Sequence, residues 1–279
     1  MAGQDYREAS LRIWEEMAAG WEGHRRSVWE ASREVGEWLV DALDPQPGET
    51  VLELAAGVGD TGFAAARRLG AEGRLITTDF SAQMVQAAQR RAEELGVSHA
   101  EFRTLDAERM DLDDGSIDGV LCRWGYMLMA DPGAALAETR RVLADGGRLA
   151  LSVWGDPERN PWASIPARVL LEQTGAEPPD PLAPGVFAMA SEERTRSLLQ
   201  DAGLEPQRVE TVDMAWWFES YADYWHHLTD VKGAIALVVR SLPDSARKAL
   251  SEEIERRLEP FAEGEGYRVP AMCLNVLAV

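Results

Sequence analysis

Three glycines, Gly57, Gly59 and Gly62, follow the apolar run Val51-Leu52-Glu53-Leu54 and open a stretch of helical character. A strand ending in such a turn brings main chain close to a ligand, because glycine bends sharply and leaves no side chain between backbone and guest. The free N–H groups and positive dipole end of the following helix face the same place. Acidic residues recur where neighbouring strand-like runs end: Glu53, Asp79 and Asp106. A carboxylate in the position of Asp79 accepts from both hydroxyls of an unphosphorylated ribose. Together these residues indicate a nucleoside-bearing ligand. The glycines also spell G-x-G-x-x-G, so a pyridine dinucleotide is one reading of the loop.

The segments that must position these residues alternate in type. Strands are predicted over 50–54, 74–80, 100–105, 116–124 and 148–154, with a final hairpin from 205–218 and 267–279. Helices are predicted near 62–69, over 81–95 with Ser81 as cap, and over 131–143, closed by Asp145-Gly146-Gly147. Alternation of this kind gives an α/β fold, a doubly wound Rossmann-like sheet of seven mostly parallel strands. Ligands of such sheets sit beyond the carboxyl ends of the strands, where Asp79, Asp106 and Arg123 fall. Three stretches lie outside the sheet. Residues 1–47 form an expected helical lid, and the domain proper spans 48–279 with cap insertions at about 155–190 and 219–261. The second insertion reads as two or three helices, with Pro243 starting the second.

The order of motifs is similar to that of the class I S-adenosylmethionine-dependent methyltransferases, especially the small-molecule branch that includes the ubiquinone/menaquinone biosynthesis methyltransferases. The resemblance covers residues 50–154. It rests on VLELAAGVGD with Glu53 at the end of the first strand, Asp79-Phe80-Ser81-Ala82-Gln83-Met84, Asp106-Ala107, Ser116-Ile117-Asp118, and Arg141-Val142-Leu143 followed by Gly146-Gly147-Arg148-Leu149. It implies S-adenosylmethionine as cofactor, S-adenosylhomocysteine as product, and no metal. Backbone at Ala55, Gly57, Gly59, Cys122 and Arg123 would then meet the methionine portion. Phe80 and Met84 would pack on ribose and adenine, with Asp106 and Ala107 beside the base. Glu53 favours this reading over a dehydrogenase, because the dinucleotide fingerprint requires no acid before its first glycine. Three positions depart from the family pattern: Ala55 replaces a common glycine, Asp145 a proline, and Met110-Asp111-Leu112 the usual L-P-F.

Methyl transfer from a sulfonium is an in-line displacement, so positioning of the acceptor carries most of the catalysis. A hydroxyl, acidic carbon or protonated amine acceptor also needs a base. His226 in the second insertion is the candidate base, with a polar helix face as the alternative role. The chain holds 10 tryptophans, present in every segment outside the sheet. Trp21, Trp124, Tyr126 and Trp225 are candidate pocket walls, and the acceptor is expected to be small and apolar or aromatic. Two other readings remain open: an NAD(P)-dependent oxidoreductase on the same loop, and a non-catalytic nucleotide-binding module.

Composition narrows the partners. With 28 Lys+Arg against 48 Asp+Glu, the chain carries a formal charge of −20, which repels a nucleic-acid backbone. No apolar run is long enough to span a bilayer, and the opening MAGQDYREAS carries no apolar signal region, so neither a membrane nor export is expected. Cys122 and Cys273 form no disulfide framework, which fits the cytoplasm.

Overall fold

The computed structural model describes residues 2–279. Two helices come first, α1 (Ala2–Gly23) and α2 (Arg25–Leu43), then β1 (Thr50–Glu53), α3 (Asp60–Leu69), β2 (Arg74–Asp79) and α4 (Ala82–Leu95). After β3 (Ala100–Thr104) and β4 (Ile117–Arg123), α5 (Pro132–Val142) runs directly into β5 (Leu143–Trp154). Next come α6 (Pro161–Thr174), α7 (Glu192–Asp201) and β6 (Pro206–Phe218). The last elements are α8 (Tyr221–Val231), α9 (Ala234–Ser241), α10 (Asp244–Leu258), the two-residue β7 (Ala262–Glu263) and β8 (Gly266–Ala278).

One sheet runs in the order β3-β2-β1-β4-β5-β8-β6, with β7 appended to β8. The pairs among β1 to β5 are parallel, while β8 lies antiparallel between β5 and β6. This is the expected Rossmann-like sheet of seven mostly parallel strands, extended by β7. Its inner strands are apolar on both faces, as in Val51-Leu52, Leu75-Ile76 and Leu149-Ala150-Leu151, because helices cover a parallel sheet on both sides. Strand order reverses at β1, so a crevice opens beyond the carboxyl ends of β1 and β4. Glu53, Asp79 and Arg123 are the last residues of β1, β2 and β4.

The elements outside the sheet differ in detail from expectation. Segment 1–47 is two helices with separate tasks. α1 lies across α4 and α8, over the crevice, whereas α2 packs on α3 and across β5, β6 and β8, burying Val28, Val35, Leu39 and Leu43 in the main core. The cap gathers α6 against α10, and α8 against α9 and α1. Pro243 precedes the third helix of the second insertion, α10, not the second. Asp145-Gly146-Gly147 does not end a helix. It forms an irregularity inside β5, where pairing jumps from Ile117↔Leu143 to Gly119↔Arg148. Helix α7 has no counterpart among the expected elements; with only Thr195 and Leu199 buried, its apolar pattern is faint.

Candidate active site

The glycine turn after β1 places every second residue in the left-handed region: Ala55 at φ +49°, Gly57 at +56° and Gly59 at +83°. An L-residue pays about 1–2 kcal/mol there, which accounts for the glycine usual at the position of Ala55. A Cβ at Gly59 would lie 2.5 Å from the Phe63 ring, so that glycine is needed for packing of the turn. A Cβ at Gly57 would meet nothing within 4 Å, which leaves its main chain open toward the crevice.

Asp79 ties this turn to β2. Its Oδ2 accepts from Gly57 N and its Oδ1 from Ser81 N, both at 2.9 Å. Burial pushes its pKa up to about 6, against the pull of those donors toward the charged form. Each carboxylate oxygen retains a free lone pair for a ligand hydroxyl. Ser81 in turn caps α4 by accepting from Met84 N at 3.2 Å, and its hydroxyl donates to Glu15 of α1 at 3.0 Å.

Glu53 is buried beneath the turn. Its Oε1 accepts from Gly62 N at 2.7 Å, while Oε2 is buried without a partner. Burial pushes its pKa up to about 8, opposed by the Gly62 N–H and by the nearby Arg123 charge. Gly62 is what makes room, since a Cβ there would fall 2.2 Å from Oε2. We predict that Gly62→Ala costs about 1–3 kcal/mol of stability through this overlap. Urea unfolding checks it, and an unshifted midpoint would show that Glu53 moves freely out of the way.

Beyond these strand ends lies a cavity of about 520 Å³, within the span of roughly 300–1,000 Å³ usual for small-molecule sites. One end is polar, lined by Glu53, Ala55, Gly57, Asp79, Phe80 and Asp106, with Ala107, Met84 and the side of Arg123 adjoining. The other end is aromatic. Trp124 and Trp154 stack with ring centroids 4.2 Å apart, Trp162 lies 4.6 Å from Trp154, and Trp216 lies 5.8 Å from Trp162. Helix α1 roofs the cavity with Tyr6, Arg7, Trp14 and Trp21. It is latched at both ends: Arg7 pairs with Asp106 at 3.3 Å and with Glu108, and Trp21 Nε1 donates to Val231 O at 3.1 Å.

The sequence-derived candidates divide accordingly. Glu53, Ala55, Gly57, Asp79, Phe80, Met84, Asp106, Ala107, Arg123, Trp21 and Trp124 are brought together around the cavity. Gly59 and Cys122 are not on its wall. Cys122 is fully buried behind Gly125, and burial pushes its thiol up to about 12, so it is no nucleophile. Arg123 directs its guanidinium to Ser32 of α2. Tyr126 is a correction: it is fully buried in the core, with its hydroxyl 2.6 Å from Thr139 Oγ1. Trp225 and His226 are also corrections. Trp225 packs beside Tyr221 on the outer side of α8, and His226 is exposed, while the neighbouring His227 and Leu228 turn inward. Missing from the named wall candidates are Trp154, Trp162, Trp216 and Lys232. Lys232 Nζ stands 3.9 Å from the Trp162 ring centroid and 4.2 Å from that of Trp216. The one available signal is rarity, since Lys232 and Lys248 are the only lysines in the chain.

Among the described residues no helix is long and apolar enough to cross a membrane, and no group of His, Cys, Asp or Glu is arranged to hold a metal ion. Comparison with known proteins matches residues 45–174 to the methyltransferase domain family Methyltransf_31. The chain is 38% identical over 128 residues to a demethylmenaquinone methyltransferase of Beutenbergia cavernae, covering 46% of this chain and 49% of that one. It is 31% identical over 118 residues to the aklanonic acid methyltransferase DauC of Streptomyces sp. strain C5, covering 42% of this chain and 54% of that one. The match thus spans about half the length of these curated relatives. Among solved structures, the geranyl diphosphate C-methyltransferase of Streptomyces coelicolor superposes with a TM-score of 0.51 at 19% identity, covering 88% of this chain and 75% of that one. At that identity the likeness speaks for the fold alone. Sheet order, the acid-and-glycine turn and the family match together place residues 45–174 in the class I S-adenosylmethionine-dependent methyltransferases.

Proposed function

We propose that the protein transfers a methyl group from S-adenosylmethionine to a small, apolar or aromatic organic acceptor. The observation that carries this reading is the continuity of the cavity, which joins the acid-and-glycine turn to a chamber walled by Trp124, Trp154, Trp162 and Trp216. The residues fit the cofactor: the buried, unpartnered Glu53 Oε2 and the open main chain at Gly57 adjoin Asp79, whose free lone pairs suit ribose hydroxyls. When bound, S-adenosylmethionine supplies an electrophilic methyl group on a sulfonium. The protein's own part is to hold and exclude. Phe80 and Met84 pack beside the polar end, the tryptophans exclude water from the other, and α1 covers both. Orientation of this kind contributes up to about 7–11 kcal/mol to a two-reactant step. The names of the two curated relatives, which refer to demethylmenaquinone and aklanonic acid, support a small-molecule acceptor. The cytoplasm is the proposed compartment, supported by two free, buried cysteines.

The dinucleotide reading meets a physical obstacle. Its pyrophosphate would take the N-terminus of α3, where Gly62 N already donates to Glu53 and where Asp60 and Asp79 add negative charge. Thermal melting with S-adenosylmethionine, S-adenosylhomocysteine, NAD and NADP separates the readings. A ligand at 100 times its Kd adds about 2.7 kcal/mol of stability. The first two are expected to raise the Tm and the last two to leave it unchanged. Stabilisation by NAD or NADP alone would refute the methyltransferase reading.

A further inference from the structure

Lys232 is the most anomalous group in the cavity. It follows α8 directly and precedes Gly233, whose φ of +55° turns the chain into α9. Its amine lies against two indole faces and lines the cavity, with no carboxylate paired to it among the described residues. Trp216 Nε1 beside it is buried and also lacks a hydrogen-bond partner. Two N–H donors without acceptors among the described residues, set in an aromatic box, suit an oxygen-bearing guest.

Resting on the methyltransferase reading, we propose that Lys232 selects the acceptor: the substrate is a flat, aromatic or conjugated compound bearing an acidic oxygen, as a phenol or enol, which seats at Nζ between Trp162 and Trp216. The rings clasp the apolar body, and the amine recognises the oxygen. Burial holds the ammonium pKa well below the ordinary lysine value, and no anion among the described residues offsets this. Its place between the two indole faces, with no carboxylate beside it among the described residues, sets the amine to receive the acceptor's O–H proton. That transfer turns amine and acid into an ammonium–oxyanion pair without changing the net charge of the cavity, and it leaves the acceptor in its nucleophilic form. The other titratable neighbour is His227 of α8, whose pKa is pushed well down chiefly by burial. Trp162 from α6 and Trp216 from β6 bring no charge. Asp230, the nearest acid along the chain, is engaged by His24 and Arg240 at 3.4 and 3.2 Å.

The test uses para-nitrophenol, whose phenolate is yellow, and para-nitroanisole, the same ring with its oxygen methylated. Calorimetry is run on the full chain, as wild type and as Lys232→Met, which keeps length and apolar contact, each with S-adenosylhomocysteine present. Wild type is expected to bind para-nitrophenol about 10- to 100-fold more tightly than para-nitroanisole, the range of a charge-assisted hydrogen bond. Bound probe should also show increased phenolate absorption near its own pKa. Lys232→Met should lose both effects and keep its affinity for para-nitroanisole within about twofold. The inference is overturned if the two proteins discriminate the probes equally, if the phenolate band does not respond to Lys232, or if para-nitrophenol fails to bind wild type. Titration with S-adenosylhomocysteine alone is read separately. Its failure in wild type would strike the methyltransferase reading, whereas normal binding with no probe discrimination would strike only the role of Lys232.

Discussion

Asp79→Ala is expected to weaken S-adenosylmethionine binding by about 2–4 kcal/mol, roughly 30- to 1,000-fold in Kd, if the carboxylate holds two ribose hydroxyls. The structure adds a second consequence. Asp79 also accepts from Gly57 N and Ser81 N, so its removal leaves two main-chain donors without their partner and loosens the turn itself. The orphaned Ser81 N–H is buried and costs about 1–3 kcal/mol, while the part-buried Gly57 N–H costs less, and the variant should therefore melt earlier even without ligand. Asp79→Asn does not repair this, because its amide can accept through only one atom and presents N–H to the other donor. Calorimetry well below the melting midpoint of each variant separates the two effects. Unchanged affinity in a folded Asp79→Ala would remove Asp79 from the ligand site, leaving it as a brace for the turn.

Part of this site is legible from local sequence pattern alone. The acids at the ends of β1 and β2 and the glycines between them are set by sequence-adjacent geometry, so position along the chain is enough to place them. The tryptophan chamber is legible only as a composition. Tyr126 shows why, since it stands two residues from Trp124 and turns the opposite way. Trp124 sits at φ +63°, and that left-handed step aims its ring into the cavity, while the following turn carries Tyr126 into the core against Thr139. Nothing in a run of residues announces such a step for a tryptophan. The outward placing of His226 is legible in the pattern. Tyr224, His227, Leu228 and Val231 recur at helical spacing and are the buried stripe of α8, and that stripe turns His226 and Trp225 outward. Lys232 is hidden for a different reason, because only the convergence of α6, β6 and α8 surrounds it with indole rings.

Burial of Glu53 should contribute stability that is lost as pH rises from about 4.5 to 8, and Glu53→Gln should remove that contribution. The native carboxyl titrates near 8 instead of its ordinary 4.5, chiefly because burial disfavours the charge. Between those values the folded protein holds a proton that the unfolded chain has released, so the slope of unfolding free energy with pH is negative. The contribution is fully present below about 4.5 and lost by about 8, at no more than about 1.4 kcal/mol per pH unit. Asp79 adds a fall of the same sign in the lower window, from 3.8 to about 6. His227 acts in the opposite sense. Its lowered pKa gives stability that is complete above its ordinary 6.5 and lost as pH falls. The net curve of the wild type therefore mixes signs, and the informative quantity is its difference from Glu53→Gln, in which the other groups largely cancel. Glutamine can still accept from Gly62 N through its oxygen, so the turn keeps its anchor at every pH. Melting from pH 5 to 8.5 should show the wild type losing ground to the variant by several degrees, at about 2–4 °C per kcal/mol for a chain of this size. Parallel curves across that range would mean that Glu53 titrates as an ordinary carboxylate, with water reaching Oε2, and the case for a buried polar atom awaiting a ligand at the end of β1 would go with it.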